Sequence, residues 1–291
     1  MRSTFERLRA AKKPGFLFGG GSARCIFQIG VIETLYSLGI RPAACLGVSG
    51  GAWNAAAVAV GNWRRLRFYW RCFVRWPYID LLNLGREHSP FIWTQLHRRA
   101  FARYVGAERI AAADTLPLFV AVTRLRDKAS VIVDVKASAD PFTLLLTSNY
   151  LPPFYTHTPL VNGERYGDGG FSDNMPYEAL FERGCDMVVL MASKGESEGG
   201  LNRSENDPDH VVHDDRVVVI RPRHRMPLGF VERRWQRLAP IADLGALRAR
   251  EVLLGERHAQ CDLAARGMAP SWYFTAMRRW WTGGRAKARP T

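Results

Sequence analysis

Apolar residues fall into two rhythms along this chain. Short apolar runs at 15–18, 118–123, 130–135, 186–192 and 216–220 are bounded by turn residues and predict buried strands. Another begins after Arg41-Pro42 and ends at Leu46. Elsewhere apolar positions recur every three or four residues. Ile26, Ile29, Ile32, Leu35 and Leu38 mark one face of a helix over 25–38, and Gly39 suits its C-terminal end. Helices are also expected over 52–59, 63–76, 89–104, 141–146 and 176–183. Pro77 stops the second of these, Asp140 caps the fourth, and Pro176 opens the fifth at its first position. Pro152 and Pro153 in series make 151–154 irregular. A strand, a glycine loop and a helix thus come first, and a second strand follows, the opening of an α/β fold.

Beyond the strand at 186–192, residues 193–215 are polar, acidic and glycine-containing, and predict a mobile surface loop. From Arg221 the chain is arginine-rich, with helical segments expected near 229–238 and 244–265, then Trp272, Trp280, Trp281 and a basic end. No internal repeat or clear linker appears. The expected organisation is a catalytic domain over 14–222 with a basic helical extension over 223–291 packed on it.

Three glycine-rich loops carry the candidate chemistry. Gly47-Val48-Ser49-Gly50-Gly51 joins an apolar run to a stretch of strong helix formers, with Ser49 at the apex. Alone, the pentapeptide also fits an ordinary strand–helix connection capped by serine. Gly19-Gly20-Gly21-Ser22 follows the first strand. Its spacing fits neither a P-loop nor a dinucleotide fingerprint. An oxyanion hole remains, in which loop N–H groups face a developing negative oxygen. Both loops stand at the C-terminal ends of strands, where open α/β sheets place their sites. Tyr166-Gly167-Asp168-Gly169-Gly170 reads either as a plain Asp-Gly turn or as a carboxylate presented as base to Ser49.

Composition narrows the setting. The chain has 291 residues, 47% apolar and 23% charged, which is ordinary globular usage. It has no apolar run of membrane-spanning length. Its basic, polar start does not read as a secretory signal. The five cysteines are scattered with no C-x-x-C pair, so neither a disulfide framework nor a metal site is indicated, and reduced thiols in a cytoplasmic protein are expected. Cys25 is expected to pack rather than react. The formal charge of +14 implies attraction to polyanions. Within 63–76, Arg64, Arg67, Arg71 and Arg75 form one stripe opposite Trp63, Leu66, Trp70 and Phe73. That pattern reads as a helix on the core with a solvated arginine face, or as one lying at a lipid interface.

Taken together, the three loops resemble the patatin-like phospholipase family. The resemblance spans roughly 15–192 and rests on the glycine loop with Arg24, on Gly47-Val48-Ser49-Gly50-Gly51-Ala52, and on Asp168-Gly169-Gly170 followed by Asn174 and Pro176. The segment 148–154 is similar to the family's approach to the aspartate. The resemblance implies a three-layer α/β/α sandwich on a mostly parallel sheet, and a Ser–Asp dyad that cleaves lipid acyl esters without metal or cofactor. Ser49 would be the nucleophile and Asp168 the base. Gly19, Gly20, Gly21, Arg24 and Gly50 would form the oxyanion loop, with Gly47, Gly51, Gly169 and Gly170 supporting the motifs. Aligned on Arg24, Ser22 stands where the family has its third glycine and Cys25 where it has a fourth; a one-residue slip aligns Gly19-Gly20-Gly21 instead. The expected partners are a lipid ester and an anionic membrane surface at its inner face; nucleic acid is not expected. Two other readings compete: a Ser-His-Asp hydrolase using His210, His213, His224 or His258, and an impaired patatin-like protein that binds membrane or nucleic acid.

Overall fold

The apolar runs pair into one sheet, because a strand buried on both faces must also satisfy its backbone through its neighbours. The structure, a computed structural model, describes residues 3–87, 89–151, 154–155, 160–229 and 231–258. Its helices are α1 (Thr4–Ala10), α2 (Phe27–Ser37), α3 (Gly50–Ala59), α4 (Leu66–Arg75), α5 (Leu84–Glu87), α6 (Trp93–Tyr104), α7 (Ala107–Ala111), α8 (Pro141–Thr147), α9 (Glu178–Glu182) and α10 (Trp235–Leu254). Its strands are β1 (Pro14–Phe18), β2 (Ala44–Val48), β3 (Leu118–Arg124), β4 (Ser130–Asp134), β5 (Leu160–Val161), β6 (Glu164–Asp168), β7 (Met187–Met191) and β8 (Val217–Ile220).

The sheet runs in the order β5-β6-β3-β2-β1-β7-β8, with β4 also paired to β3. β1, β2, β3, β7 and β8 are parallel, and β4 and β6 run antiparallel to β3. Alternate strand residues feed two cores. Phe16, Phe18, Cys45, Val120 and Val189 pack under α2, α3, α4, α6, α8 and α10. Leu17, Leu46, Val188 and Leu190 pack with Met175, Tyr177 and Leu180 on the other face. The result is the expected α/β/α sandwich on a mostly parallel sheet.

Several expectations change in detail. The first turn after the glycine loop is a 3-10 turn over Ser22–Ile26, and the α-helix begins at Phe27. A capped helix α1, with Ser3 and Glu6 bonding reciprocally, precedes the first strand. Residues 193–215 are tied down rather than loose: Asn174 N–H donates to Arg203 O at 2.6 Å, and Arg203 pairs with Asp173 and Glu178. The C-terminal segments expected on either side of 238–244 are one helix, α10, which passes through Pro240. The expected extension beyond residue 258, with Cys261 and the three tryptophans, lies outside the described residues, as do Pro152 and Pro153.

α10 lies directly on α2. A Cβ added to Gly30 would drive into the Ala242 carbonyl, and one on Gly245 into the Phe27 carbonyl, so the two backbones touch at these glycines. Arg248 and Glu251 on α10 are both buried and paired, and Arg248 also donates to Arg221 O at 2.9 Å and Glu196 at 2.7 Å.

Candidate active site

The register along β3 brings the serine and the aspartate together. β2 pairs with one edge of β3 and ends with Val48 opposite Ala121. β4 covers the other edge, from Phe119 to Thr123. β6 therefore takes the β2 edge where β2 stops, and its last residue, Asp168, lies opposite Val122. Two strands thus run tip to tip along one neighbour. The residue after the first tip is Ser49, and the last residue of the second is Asp168.

Ser49 sits at φ 51°, ψ −131°, left-handed backbone that a side chain resists. The turn is held from both sides. A Cβ on Gly47 would strike Ala52, and one on Gly51 would strike the Phe18 carbonyl. The Ser49 N–H donates to Ser148 Oγ at 3.0 Å, and that hydroxyl donates to Ala121 O at 2.8 Å. The Ser49 hydroxyl donates to Asp168 Oδ2 at 2.6 Å, across 119 positions of sequence.

Asp168 is buried. Its other oxygen accepts the Gly170 N–H at 2.8 Å, and its carbonyl accepts Thr123 Oγ1 at 2.7 Å. Burial pushes the carboxyl up to about 7, against the hydrogen bonds from Ser49 and Gly170, which favour the charged form.

The glycine loop stands beside the elbow: a Cβ on Gly50 would touch Ser22 and Cys25. Two of the expected oxyanion donors are spent inside the fold. Gly19 N–H donates to Met191 O at 3.1 Å, and Gly20 N–H to Asn174 Oδ1 at 2.7 Å. Asn174, which follows the aspartate motif, therefore ties that loop to this one. Ser22 adopts φ 51°, backbone that suits glycine better than serine. A buried polar chain fixes the loop from behind. Gln28 donates to Gly19 O at 2.7 Å, Asn54 donates to Gln28 Oε1 and Cys25 O, and Trp70 donates to Asn54 Oδ1. Burial lowers the Arg24 guanidinium below its usual range, with Glu198 pulling the other way. Cys25 packs as expected, its thiol pushed up to about 12 by burial.

Ser49 opens into a cleft enclosing about 830 Å³ with its mouth, lined by Trp53 of α3, Tyr69 and Phe73 of α4, Trp93 and His97 of α6, and Phe154. The aromatic face of the arginine-striped helix is thus a cleft wall, while Arg67 on that helix is held by Glu33 and Asp243. His97 is the histidine in this cleft that the motifs did not indicate. It is buried against Trp53, bonded to the Trp93 carbonyl at 2.8 Å, and held down to about 4 by that burial. Among the described hydrogen bonds no histidine reaches Ser49 or Asp168. His210 pairs instead with Asp207, and His258 lies against Glu256. Among the described residues no three His, Cys, Asp or Glu side chains gather as a metal site.

Fold and site together define an α/β protein with a serine on a strained strand-to-helix elbow, hydrogen-bonded to a buried aspartate at the tip of a neighbouring strand. Residues 16–181 match the model of the family described as patatin-like phospholipase, and the chain belongs to that family. No curated protein matches it. Among solved structures it is similar to the crystal structure of VipD from Legionella pneumophila, with a TM-score of 0.51 at 14% identity, over 84% of this chain and 67% of that one. At that identity the likeness speaks for the fold.

Proposed function

We propose that the protein is a serine-dependent lipid acyl hydrolase, of phospholipase A, lysophospholipase or esterase type, working through Ser49, Asp168 and an acyl-enzyme. One observation carries this reading: the 2.6 Å bond from the Ser49 hydroxyl to a buried carboxylate raised to about 7. A serine hydroxyl is a weak nucleophile without an adjacent base. At that value Asp168 is about half ionised near neutral pH and far more basic than an exposed carboxylate.

Ser49 Oγ attacks the ester carbonyl carbon as its proton passes to Asp168 Oδ2. The oxygen that turns negative is met by N–H groups at the elbow and the glycine loop. Gly50, in the first turn of α3, has no intrahelical acceptor, and Gly21 follows the two glycines already engaged. The intermediate collapses, and the departing alcohol takes the proton from Asp168. Water then gives its proton to Asp168 and attacks the acyl-enzyme. Release of the acid returns that proton to Ser49. Family membership supports a lipid ester as substrate, and the aromatic cleft supports an acyl chain beside Ser49. The charge of +14 supports work at an anionic membrane surface.

The test is labelling by a fluorophosphonate probe, with peptide mapping. Label is expected on Ser49 and absent in Ser49→Ala. Asp168→Asn should slow labelling by roughly 10²–10⁴-fold, the range a positioned base supplies. His97→Phe should still label. Equal labelling of Asp168→Asn and wild type would overturn the dyad, and loss of labelling in a folded His97→Phe would restore a histidine to the mechanism.

A further inference from the structure

The chain between α4 and α6, which leaves the cleft wall at Tyr78, turns leucines outward. Leu81 is 70% exposed, Leu82 76%, Ile79 48% and Leu84 47%. Such a contiguous apolar patch on a soluble surface marks an interaction site. Its scaffold is built, not slack. The side chain of buried Asn83 donates to Ser89 O and Phe91 O, each at 3.0 Å. Asp80 N–H donates to Pro90 O and Ile92 N–H to Tyr78 O. The Asp80 carboxylate turns onto the Leu82 N–H at 3.0 Å. Tyr78 and Phe91 stack with centroids 6.2 Å apart. The side chains of Asp80 and Asn83 are thus spent on holding the turn that presents these apolar side chains.

The exposed segment follows directly on a residue of the cleft wall. Tyr78, next to Ile79, lines the cleft, and so does Val231, itself an exposed apolar residue. The chain leading into the patch is cationic: Arg71 and Arg75 are exposed one turn apart on α4, and among the described residues neither is in an ion pair. Apolar side chains that enter the acyl boundary, flanked by arginines at headgroup height, are the requirements for docking on an anionic bilayer.

We propose that Ile79, Leu81, Leu82 and Leu84, with Arg71 and Arg75 on the helix that leads into them, form the surface that docks the protein on an anionic phospholipid bilayer with the cleft mouth facing the lipid. This rests on the lipid acyl hydrolase reading for its purpose, but its test is independent of catalysis.

The experiment measures binding of full-length Ser49→Ala protein to sedimented vesicles of phosphatidylglycerol mixed with phosphatidylcholine. Adding Leu81→Asp with Leu82→Asp should weaken binding at least tenfold. Arg71→Ala with Arg75→Ala should weaken it several-fold on the anionic vesicles and leave residual binding to pure phosphatidylcholine unchanged. With Ser49 intact, both double variants should hydrolyse a soluble short-chain ester at the wild-type rate, which shows that the fold and site survive. Undiminished vesicle binding by the leucine variant would overturn the proposal. So would loss of self-association in that variant with unchanged vesicle binding, which would assign the patch to a second copy. Failure of the wild type to hydrolyse any ester, with leucine-dependent vesicle binding retained, would instead remove the hydrolase reading and leave the docking surface standing.

Discussion

Asp168 shows at one residue how basicity and stability oppose each other. Its folded pKa is about 7, while an unfolded aspartate titrates near 3.8. Between those values the folded chain holds a proton that the unfolded chain has released. Stability therefore falls as pH rises from about 4 to about 7, by an amount on the order of a few kcal/mol, and levels off above. Asp168→Asn removes this titration. Urea unfolding of the two proteins should show the advantage of the variant growing across that window; a constant difference would mean Asp168 is not raised. Fluorophosphonate labelling of the wild type should rise through the same pH and then level, as expected if the ionised carboxylate is the proposed base. Ser148 makes the complementary case. Its hydroxyl accepts the Ser49 N–H and donates to Ala121 O. Ser148→Ala leaves both backbone groups buried without that partner. We expect kcat on a soluble ester to fall by about 10–100-fold, the scale on which small misplacements act, with KM nearly unchanged. Ser49 and Asp168 were legible in sequence because glycines mark the turns that hold them. Ser148 and Thr123 carry no such mark; the role of Ser148 follows from facing Ala121 of β3, and that of Thr123, itself on β3, from facing the Asp168 carbonyl. Gln28 and Asn54 did leave a trace, as amides set among apolar neighbours in their helices.

Among the elements, β1, β2, β3, β4, β7 and β8 were legible as apolar runs, but β5 and β6 were not, nor the junction that makes the site. Apolar runs give β2 and β3; nothing local states that β6 continues the edge that β2 vacates. α10 passes through Pro240 and joins two segments expected to be separate. Proline removes a helix hydrogen bond and favours a break. Here Leu238, Ile241, Ala242, Gly245 and Ala249 keep one buried face across it, and packing on α2 outweighs the local loss. That contact is close enough to test with one methyl group. Gly30→Ala would put its Cβ against the Ala242 carbonyl, and the helices must part along their length. Destabilisation of about 1–3 kcal/mol or more is expected in chemical denaturation, as for overpacking elsewhere. An unchanged midpoint would mean that α10 does not rest on α2 through these glycines. The same shift should loosen the glycine loop, since α2 carries Gln28 beneath it.

At the scale of the whole molecule, charge and chemistry separate. The excess of +14 was plain from composition, but composition could not say that leucines stand exposed between α4 and α6. Among the described residues no helix is long and apolar enough to cross a membrane. Interactions between exposed charges and a bilayer are screened over about 10 Å at 0.1 M salt. The bond from Ser49 to Asp168 is buried and short, and salt does not reach it. Raising salt should therefore dissect the two. On anionic vesicles, hydrolysis should exceed that on neutral vesicles at low salt and fall steeply as salt is added, because fewer molecules are docked. On a soluble short-chain ester the rate should stay nearly flat over the same range. Equal rates on neutral and anionic vesicles at low salt would mean that the positive surface does not direct the enzyme to lipid. A parallel loss on the soluble ester would mean that salt acts on the site itself, and that the buried dyad is more open to ions than its burial implies.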